Sequence, residues 1–240
     1  MKYLSLELNP GTGYICMTKM INLSSSTKIY LFLLCICLFA GVLFLFAEDK
    51  GDLVIILNNF HSPVLDKFFR YMTFLGDGIW FAPLIVLFLF FRYSWSAAFA
   101  ILGVVQLLII QGMKRVIFGR TPRPAEYFKD SFELKMVEGV DIHHFYSFPS
   151  GHTATAFGIS FMIVLLIKPR KGISVALFMI AALVGISRIY LGQHFLEDVL
   201  VGAILGTFLS FLVWKLFDSF ESKYSNSAFF GSSLGKRLGN

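Results

Sequence analysis

The 240-residue chain is short of charged residues and of cysteine, and each shortage excludes a class of protein. Lysine, arginine, aspartate and glutamate make up 15% of the residues, against roughly 25% in soluble domains. Hydrophobic residues make up 56%, and phenylalanine occurs 28 times, so we interpret the chain as an integral membrane protein. The three cysteines have no metal-ligand spacing and predict neither a zinc site nor a structural disulfide. The net charge of +6 does not imply a nucleic-acid partner, because the basic residues flank apolar runs.

Six apolar runs approach the roughly 20 residues that a membrane span requires. They predict an all-α fold, a six-transmembrane-helix bundle, with spans at residues 30–47, 72–91, 95–113, 153–167, 173–189 and 195–217. This organisation assigns residues 1–27 to an N-terminal segment, residues 28–217 to the six-span domain, and residues 218–240 to a disordered tail. Residues 52–71 carry apolar side chains at helical spacing, which favours an amphipathic interfacial helix, with a simple loop as the alternative.

Basic residues set the predicted orientation. In a six-span topology they crowd one side of the membrane, which is therefore expected to be cytoplasmic, with both termini inside. They are Lys19, Lys28, Arg92, Lys168, Arg170, Lys171, Lys215, Lys223, Lys236 and Arg237. The residues between spans three and four and between spans five and six then face the periplasm or the cell exterior. We expect a multi-pass protein of the inner (cytoplasmic) membrane with its site on that outer face.

One run of charged residues lies between two apolar segments, where charge is costly. It reads Ser187-Arg188, five residues, His194, three residues, Asp198. On a helix, positions 194 and 198 share a face, so the carboxylate can fix the tautomer of the imidazole. A guanidinium beside them suits a phosphate. The alternative is a salt bridge at the start of a helix.

Two further clusters are predicted to lie at span ends on the same face. Lys114-Arg115 is followed by Arg120-Thr-Pro-Arg123-Pro124, and Pro149-Ser150-Gly151-His152 stands before the fourth span. Free N–H groups at a helix start bind anions, Gly151 permits close approach, and the Ser150 hydroxyl adds a donor. Lys114, Arg123 and Arg188 would hold the phosphoryl oxygens, which leaves two histidines for acid and nucleophile.

The order of these three motifs resembles the type 2 phosphatidic acid phosphatase (PAP2) superfamily. The resemblance implies that His194 attacks phosphorus and forms a phosphohistidine, that Asp198 orients it, and that His152 protonates the leaving oxygen. It implies phosphate binding by the five residues named above: Lys114, Arg123, Ser150, Gly151 and Arg188. It also implies a metal-independent reaction without a cofactor.

The first motif departs from the family pattern. Eight residues separate Lys114 from Arg123, whereas the family usually has six between its lysine and its Arg-Pro. Three explanations are open: a two-residue bulge with Arg123 still binding phosphate, Arg120 in its place, or Arg115 in place of Lys114. We favour the bulge.

The expected activity is hydrolysis of a membrane lipid phosphate or diphosphate, with the tails in the bilayer. Undecaprenyl diphosphate, phosphatidylglycerol phosphate, phosphatidic acid and a lipid A phosphate are all permitted, and the residues 125–146 are expected to cover the site. Vanadium-dependent haloperoxidases resemble the same motifs but are usually soluble. A transporter or lipid-binding protein with a structural anion site is the non-enzymatic alternative. Asp141, His143 and His144 offer a weaker alternative of a metal site, against a solvated loop.

Overall fold

The computed structural model describes residues 23–223 and 232–234, and within them the fold is all-helical. Its nine α-helices are α1 (Ser25–Ala47), α2 (Asp52–Asn59), α3 (Pro63–Phe74), α4 (Phe81–Leu89), α5 (Tyr93–Gly112), α6 (Pro124–Tyr127), α7 (Gly151–Ile167), α8 (Lys171–Tyr190) and α9 (Leu196–Lys223). A short 3-10 turn, Gly78–Trp80, precedes α4, and a π-helical turn, Met113–Ile117, continues α5. The predicted all-α class is confirmed.

Among the described residues, four helices are long and apolar enough to cross a membrane: α1, α5 with its π turn, α8 and α9. Helix α3 and the stretch Gly78–Leu89 form a fifth candidate if they count as one span, although they are bent by 47°. The span expected over residues 72–91, whose start Gly76-Asp77-Gly78 interrupts in the sequence, is therefore divided between two helices. The side chain of Asp77 accepts a hydrogen bond from Ile79 N at 3.0 Å and starts a new helical turn. Helix α7, with 17 residues, is apolar but shorter than a full span.

Residues 52–71 form neither one interfacial helix nor a loop. They contribute α2 and the first part of α3, which Ser62 and Pro63 separate by starting a new helix. Helix α2 buries Val54 and Asn58. The Asn58 side chain bonds both backbone groups of Lys135, donating to its O at 2.9 Å and accepting from its N at 3.0 Å. Helix α2 therefore anchors the long segment between α6 and α7.

The chain ends differ in part from the expected segments. Helix α1 begins at Ser25, where Ser24 caps it by accepting from Thr27 N at 3.1 Å. Helix α9 continues to Lys223, past the expected end of the last span at residue 217. Most of the predicted terminal segments, residues 1–22, 224–231 and 235–240, lies outside the described residues.

Helix α7 is the centre of the bundle and packs closely against α9. At Gly206 an added Cβ would stand 2.2 Å from the Ala154 carbonyl oxygen, and the Ser210 hydroxyl donates to the Gly158 carbonyl at 2.7 Å. On another side of α7, the Tyr30 hydroxyl of α1 and the Ser160 hydroxyl are 2.6 Å apart. Small residues thus bring the backbones of α7 and α9 together, and this fixes the relative position of their first turns.

The motif-bearing helix ends meet at one end of the bundle. The carboxyl ends of α5 and α8 lie there beside the amino ends of α7 and α9, since residues from all four regions line one cavity or stand directly behind it. At the other end, Arg92, Lys168 and Asp218 line a separate small cavity. The fold therefore gathers residues from three distant parts of the sequence.

We expect Gly206→Ala to destabilise the bundle. The new methyl group has no room against the Ala154 carbonyl, and overpacking of this kind costs about 1–3 kcal/mol. The measurement is the apparent melting temperature of detergent-purified protein. Samples are heated to a series of temperatures, and size-exclusion chromatography then gives the fraction that remains folded at each one. The matched control is Gly112→Ala on α5, where an added Cβ meets nothing within 4 Å. Equal melting temperatures for the two variants would contradict the close packing.

Candidate active site

A histidine–carboxylate pair forms the base of the cavity. His194 Nδ1 lies 3.2 Å from Asp198 Oδ2, and the two side chains are i and i+4 across the start of α9. The same carboxylate oxygen accepts from the Ser147 hydroxyl at 2.5 Å and from Phe195 N at 3.0 Å. These contacts place the proton of neutral His194 on Nδ1 and leave Nε2 as the nitrogen with a free lone pair.

The surroundings of His194 keep its imidazole neutral. Burial lowers its pKa well below the usual value, and the positive charges of Arg123 and Arg188 lower it further. His194 is 1% exposed and Asp198 is 2% exposed. A neutral imidazole with a fixed tautomer is the form that can act as a nucleophile.

Three buried cations line the same cavity. Lys114, Arg123 and Arg188 are 8%, 8% and 6% exposed, and all three contribute to its lining. Lys114 Nζ donates to the Tyr146 carbonyl at 2.8 Å, and Arg188 Nη1 donates to the Thr73 hydroxyl at 2.7 Å. Arg188 Nε is buried with no hydrogen-bond partner. Such a cluster of desolvated positive charge is costly unless an anion binds to it.

Arg123 is held by backbone carbonyls of the segment that precedes α7. Its Nε donates to Phe145 O at 2.9 Å, and its Nη2 lies 3.5 Å from Tyr146 O. Burial lowers the pKa of its guanidinium. Tyr146 has a φ of 60°, a left-handed conformation that is uncommon for residues other than glycine. Its carbonyl oxygen accepts hydrogen bonds from both Lys114 and Arg123.

Gln193 connects the two arginines. Its Oε1 accepts from Arg123 Nη1 at 3.1 Å and lies 3.5 Å from Arg188 Nη2. Its backbone oxygen also accepts from Arg123 Nη1, at 3.2 Å, and its Nε2 donates to Asp141 O at 3.0 Å. One amide side chain thus sets the spacing of two guanidinium groups that repel each other.

The first turn of α7 forms the opposite wall. The Ser150 hydroxyl caps the helix, accepting from Thr153 N at 3.5 Å and lying 2.9 Å from Thr153 Oγ1. Ser150 N donates to Asp198 O at 3.0 Å, which ties this turn to the start of α9. The N–H groups of Gly151 and His152 occupy the first helical turn, where no intrahelical acceptor exists. Gly151 and His152 both line the cavity.

The cavity has a volume of about 420 Å³ and is lined by Ile110, Gln111, Lys114, Arg115, Arg123, His143, Phe145, Tyr146, Gly151, His152, Arg188 and His194. Six of the eight residues that the sequence indicates as a site are in this lining. The other two, Ser150 and Asp198, are buried directly behind it through the contacts given above. A bound phosphate would meet cations, helix N–H groups and two imidazoles.

The unusual spacing of the first motif has a structural counterpart. The π-helical turn at the end of α5 accommodates an additional residue. A tight turn follows, in which Thr121 N donates to Gly119 O at 2.9 Å. Arg123 reaches the cavity, whereas Arg120 is exposed and stacks on the Phe145 ring with its Cζ 4.2 Å from the ring centroid. Arg115 lines the cavity together with Lys114 and does not replace it.

Residues 121–123 and 144–148 are paired, which joins the first motif to the second. Arg123 N donates to His144 O at 2.8 Å, and Pro122 forms an isolated β-bridge with Phe145. Ser147 N and Phe148 N donate to the backbone oxygen and the hydroxyl of Thr121, at 3.3 and 3.2 Å. The aromatic residues of the segment 125–146 fall into two groups. Phe145 and Tyr146 line the cavity, while Tyr127, Phe128 and Phe132 pack in the neighbourhood of Phe195.

The described part of the chain contains no group of three or more histidine, cysteine, aspartate or glutamate side chains placed to hold a metal ion. His144 pairs instead with Glu126, its Nδ1 being 3.2 Å from Oε2. His143 stands at the cavity, where burial and then the charge of Arg123 lower its pKa.

Sequence reasoning missed Gln193, Ser147 and Thr73. Gln193 is adjacent to His194, and Ser147 lies two residues before Pro149, so both stood beside recognised motifs. Thr73 carried no signal, because its contact with Arg188 spans 115 residues of sequence.

In its described residues the protein is an all-helical membrane protein with a cavity at one end of its bundle that three buried cations and two histidines line. A model of the PAP2 superfamily matches residues 93–221, which contain all three motifs. The chain belongs to this superfamily and is a membrane phosphatase of it.

Individual relatives agree with this assignment. The chain is 34% identical over 169 residues to the phosphatidylglycerophosphatase B of Bacillus subtilis, covering 65% of this chain and 77% of that protein. It is 26% identical over 192 residues to the lipid A 4'-phosphatase of Porphyromonas gingivalis, covering 78% of each. Among solved structures, LpxE of Aquifex aeolicus superposes with a TM-score of 0.60 at 32% identity, over 69% of this chain and 94% of that one.

We expect Gln193→Ala to weaken the binding of inorganic phosphate about tenfold, because the two guanidiniums lose the acceptor that sets their spacing. Gln193→Glu should weaken phosphate binding as well, since a carboxylate there would neutralise both arginines. The measurement is isothermal titration calorimetry of the detergent-purified protein with phosphate. Arg120→Ala, which removes a nearby charge outside the cavity, is the control. Unchanged phosphate affinity in both Gln193 variants would contradict this role.

The pKa of His194 should respond to an anion. Without ligand, its imidazole should be neutral at pH 6.5, the ordinary pKa of a histidine, because burial and neighbouring cations disfavour the protonated form. Binding of phosphate cancels part of this positive field, so the pKa should rise. ¹⁵N NMR of histidine-labelled protein measures both states, with the His194 signal assigned by its loss in His194→Ala. Titration of ligand-free His194 near pH 6.5 would contradict the environment described here.

Proposed function

We propose that this protein hydrolyses the phosphate or diphosphate group of a membrane lipid by two successive displacements at phosphorus, without a metal. The observation that carries the proposal is the His194–Asp198 pair, 3.2 Å apart, in a cavity lined by three buried cations and a second histidine. The geometry supplies a nucleophile, an acid and positive charge for the phosphoryl oxygens. The first displacement needs no chemical group beyond these.

In the first displacement, His194 Nε2 attacks phosphorus and forms a nitrogen–phosphorus bond. The bond from phosphorus to the leaving oxygen breaks. His152, protonated once the negative charge of the bound substrate offsets the neighbouring cations, gives that oxygen a proton. Asp198 accepts the hydrogen bond from the Nδ1–H group of His194 and stabilises the positive charge that the imidazole acquires. Lys114, Arg123 and Arg188 face the negative charge on the equatorial oxygens.

In the second displacement, water attacks the phosphohistidine and inorganic phosphate leaves. His152, now without its proton, accepts a proton from the attacking water and returns to its starting form. His194 departs as the neutral imidazole that its environment favours. The net reaction consumes one water molecule and yields phosphate and a dephosphorylated lipid.

The proposed placement in the membrane uses six crossings with both termini in the cytoplasm. Five are the candidate spans, counting α3 and α4 as one bent span, and α7 is the sixth. Its ends support this, since Gly151 lines the site cavity and Lys168 lines the cavity at the other end of the bundle. The positive residues at that other end indicate the cytoplasm. The site would then face the periplasm or exterior from the inner membrane.

The proposed substrates are the lipid phosphates that the relatives' names and the site chemistry permit: phosphatidylglycerol phosphate, a lipid A phosphate, phosphatidic acid and undecaprenyl diphosphate. An apolar groove of about 550 Å³ supports a lipid. It is lined by α4, α5 and α7 and shares Ile110, Gln111, Gly151 and His152 with the charged cavity. The tails would occupy the groove while the phosphate occupies the cavity.

We expect detergent-purified protein to release phosphate from at least one of these four lipids in the presence of EDTA. His194→Ala should lower the rate by about 10³-fold or more, because the nucleophile is lost. Rapid acid-free quenching with ³²P-labelled lipid should trap labelled wild-type protein and unlabelled His194→Ala. An active His194→Ala variant would refute the mechanism, and an inactive wild type across all four lipids would refute the function.

His152 should matter most when the leaving group is a poor one. General acid catalysis contributes about 10²–10⁴-fold, so His152→Ala should lose at least that factor with a lipid alkoxide. The rate compared is that of the first displacement, followed in a single turnover, because His152 also serves as the base in the second. With p-nitrophenyl phosphate, whose phenolate leaves without a proton, the loss in this rate should be far smaller. His194→Ala is the control and should lose activity equally with both substrates. Equal losses for His152→Ala on both substrates would remove its role as the acid.

A further inference from the structure

One face of α5 connects the apolar groove to the charged cavity. Gly103, Leu107 and Gln111 line the groove, and Gln111 and Arg115 line the cavity. These four residues follow one another at intervals of four, so they form a single stripe along α5 and its π turn. The stripe is about 18 Å long at 1.5 Å per residue. It is apolar at one end and ends in a guanidinium at the other.

Arg115 differs from the other cations of the cavity. Lys114, Arg123 and Arg188 are buried, while Arg115 is exposed. Its Nε donates to Gln111 Oε1 at 3.2 Å, and this bond does not use the two terminal nitrogens of the guanidinium. Arg115 is therefore an exposed fourth cation at a cavity whose other three cations are buried.

The position of Arg115 is on the leaving-group side of the site. His152, the proposed acid for the leaving oxygen, lines both the cavity and the groove, and so does Gln111. A leaving group that extends from His152 towards the groove passes Gln111. The Arg115 guanidinium is bonded to the Gln111 side chain on the cavity side of this path, within reach of what the lipid carries next to its scissile phosphate.

We propose that Arg115, positioned by Gln111, binds a second phosphoryl group on the leaving-group side, so that the site prefers lipids with two phosphoryl groups over lipids with one. This inference rests on the function proposed above and specifies its substrate class. In a diphosphate the second group is the leaving phosphate itself, and in a phosphatidylglycerol phosphate it is the phosphodiester. A guanidinium fork suits both, because it contacts two phosphate oxygens at once.

For a diphosphate the chemistry is explicit. His194 Nε2 bonds to the terminal phosphorus, and the bond from that phosphorus to the bridging oxygen breaks. The electron pair stays on the bridging oxygen, so the leaving group is a lipid monophosphate with additional negative charge. Arg115 stabilises this charge as it develops. His152 then gives the bridging oxygen its proton, as it does for a monophosphate, so it is again free to act as the base in the second displacement. A monophosphate lipid lacks only the second phosphoryl group that Arg115 binds.

The test compares two lipids with the same dioleoylglycerol tail in micelles of an uncharged detergent: the diphosphate and the monophosphate, phosphatidic acid. We expect Arg115→Ala to lower kcat/KM for the diphosphate by about tenfold or more, the size of a lost charge-assisted contact. The value for phosphatidic acid should stay within about twofold. Arg115→Lys should give an intermediate loss, because the charge remains without the fork. Arg120→Ala, the same residue type outside the cavity, should leave both substrates unchanged.

The outcomes separate this inference from the proposed function. Equal losses on both lipids, no loss on either, or the same loss in Arg120→Ala would overturn it. The proposed function fails separately, when wild type releases phosphate from none of the four lipids named above. Calorimetry with methylenediphosphonate and with phosphate tests, without turnover, whether the site binds a second phosphoryl group. Wild type should bind the diphosphonate more tightly, and Arg115→Ala should lose only that difference, whereas equal affinities for the two ligands in wild type would overturn the inference.

Discussion

The site depends on one carboxylate oxygen, Oδ2 of Asp198. It accepts from His194 at the end of the α8–α9 connection, from Ser147 on the segment before α7, and from the Phe195 backbone at the start of α9. These three donors come from two parts of the chain that lie about 50 residues apart. The carboxylate therefore fixes the tautomer of the imidazole and joins the second motif to the third. Because it is buried, replacing it would leave several donors unpaired at once.

The second constraint is the electrostatic cost of an empty anion site. Three cations converge on a buried cavity, and the fold holds them apart with carbonyl and amide oxygens rather than with carboxylates. Tyr146 O serves Lys114 and Arg123, and Gln193 Oε1 stands between Arg123 and Arg188. Neutral acceptors fix geometry without cancelling charge, so the cavity keeps its attraction for phosphate. A carboxylate in either place would stabilise the empty protein and weaken the site.

Much of this was predictable from the sequence, for identifiable physical reasons. Apolar runs made the helical class evident, and the costly charges around Arg188 and His194 marked the cavity, because such groups are retained in membranes for function. Gly76-Asp77-Gly78 indicated an interruption at the start of the second span, but the angle between α3 and α4 was not predicted, since hydropathy averages over the turn that Asp77 starts. Gln193 escaped notice for a related reason: its role comes from two arginines that only the tertiary fold brings to it, and no local pattern encodes that meeting.

Packing explains why the apolar groove lies where it does. Helices α7 and α9 are held in close contact by glycines such as Gly206, whose neighbours leave no space for a methyl group. The groove lies next to this contact, because Gln106, which lines it, donates to the same Ala154 carbonyl that Gly206 faces. It begins beside His152, where the short helix α4 follows the bend and covers α5 incompletely. The contact between α7 and α9 thus holds the motif-bearing turns together, while the groove stays open beside them and joins the charged cavity directly.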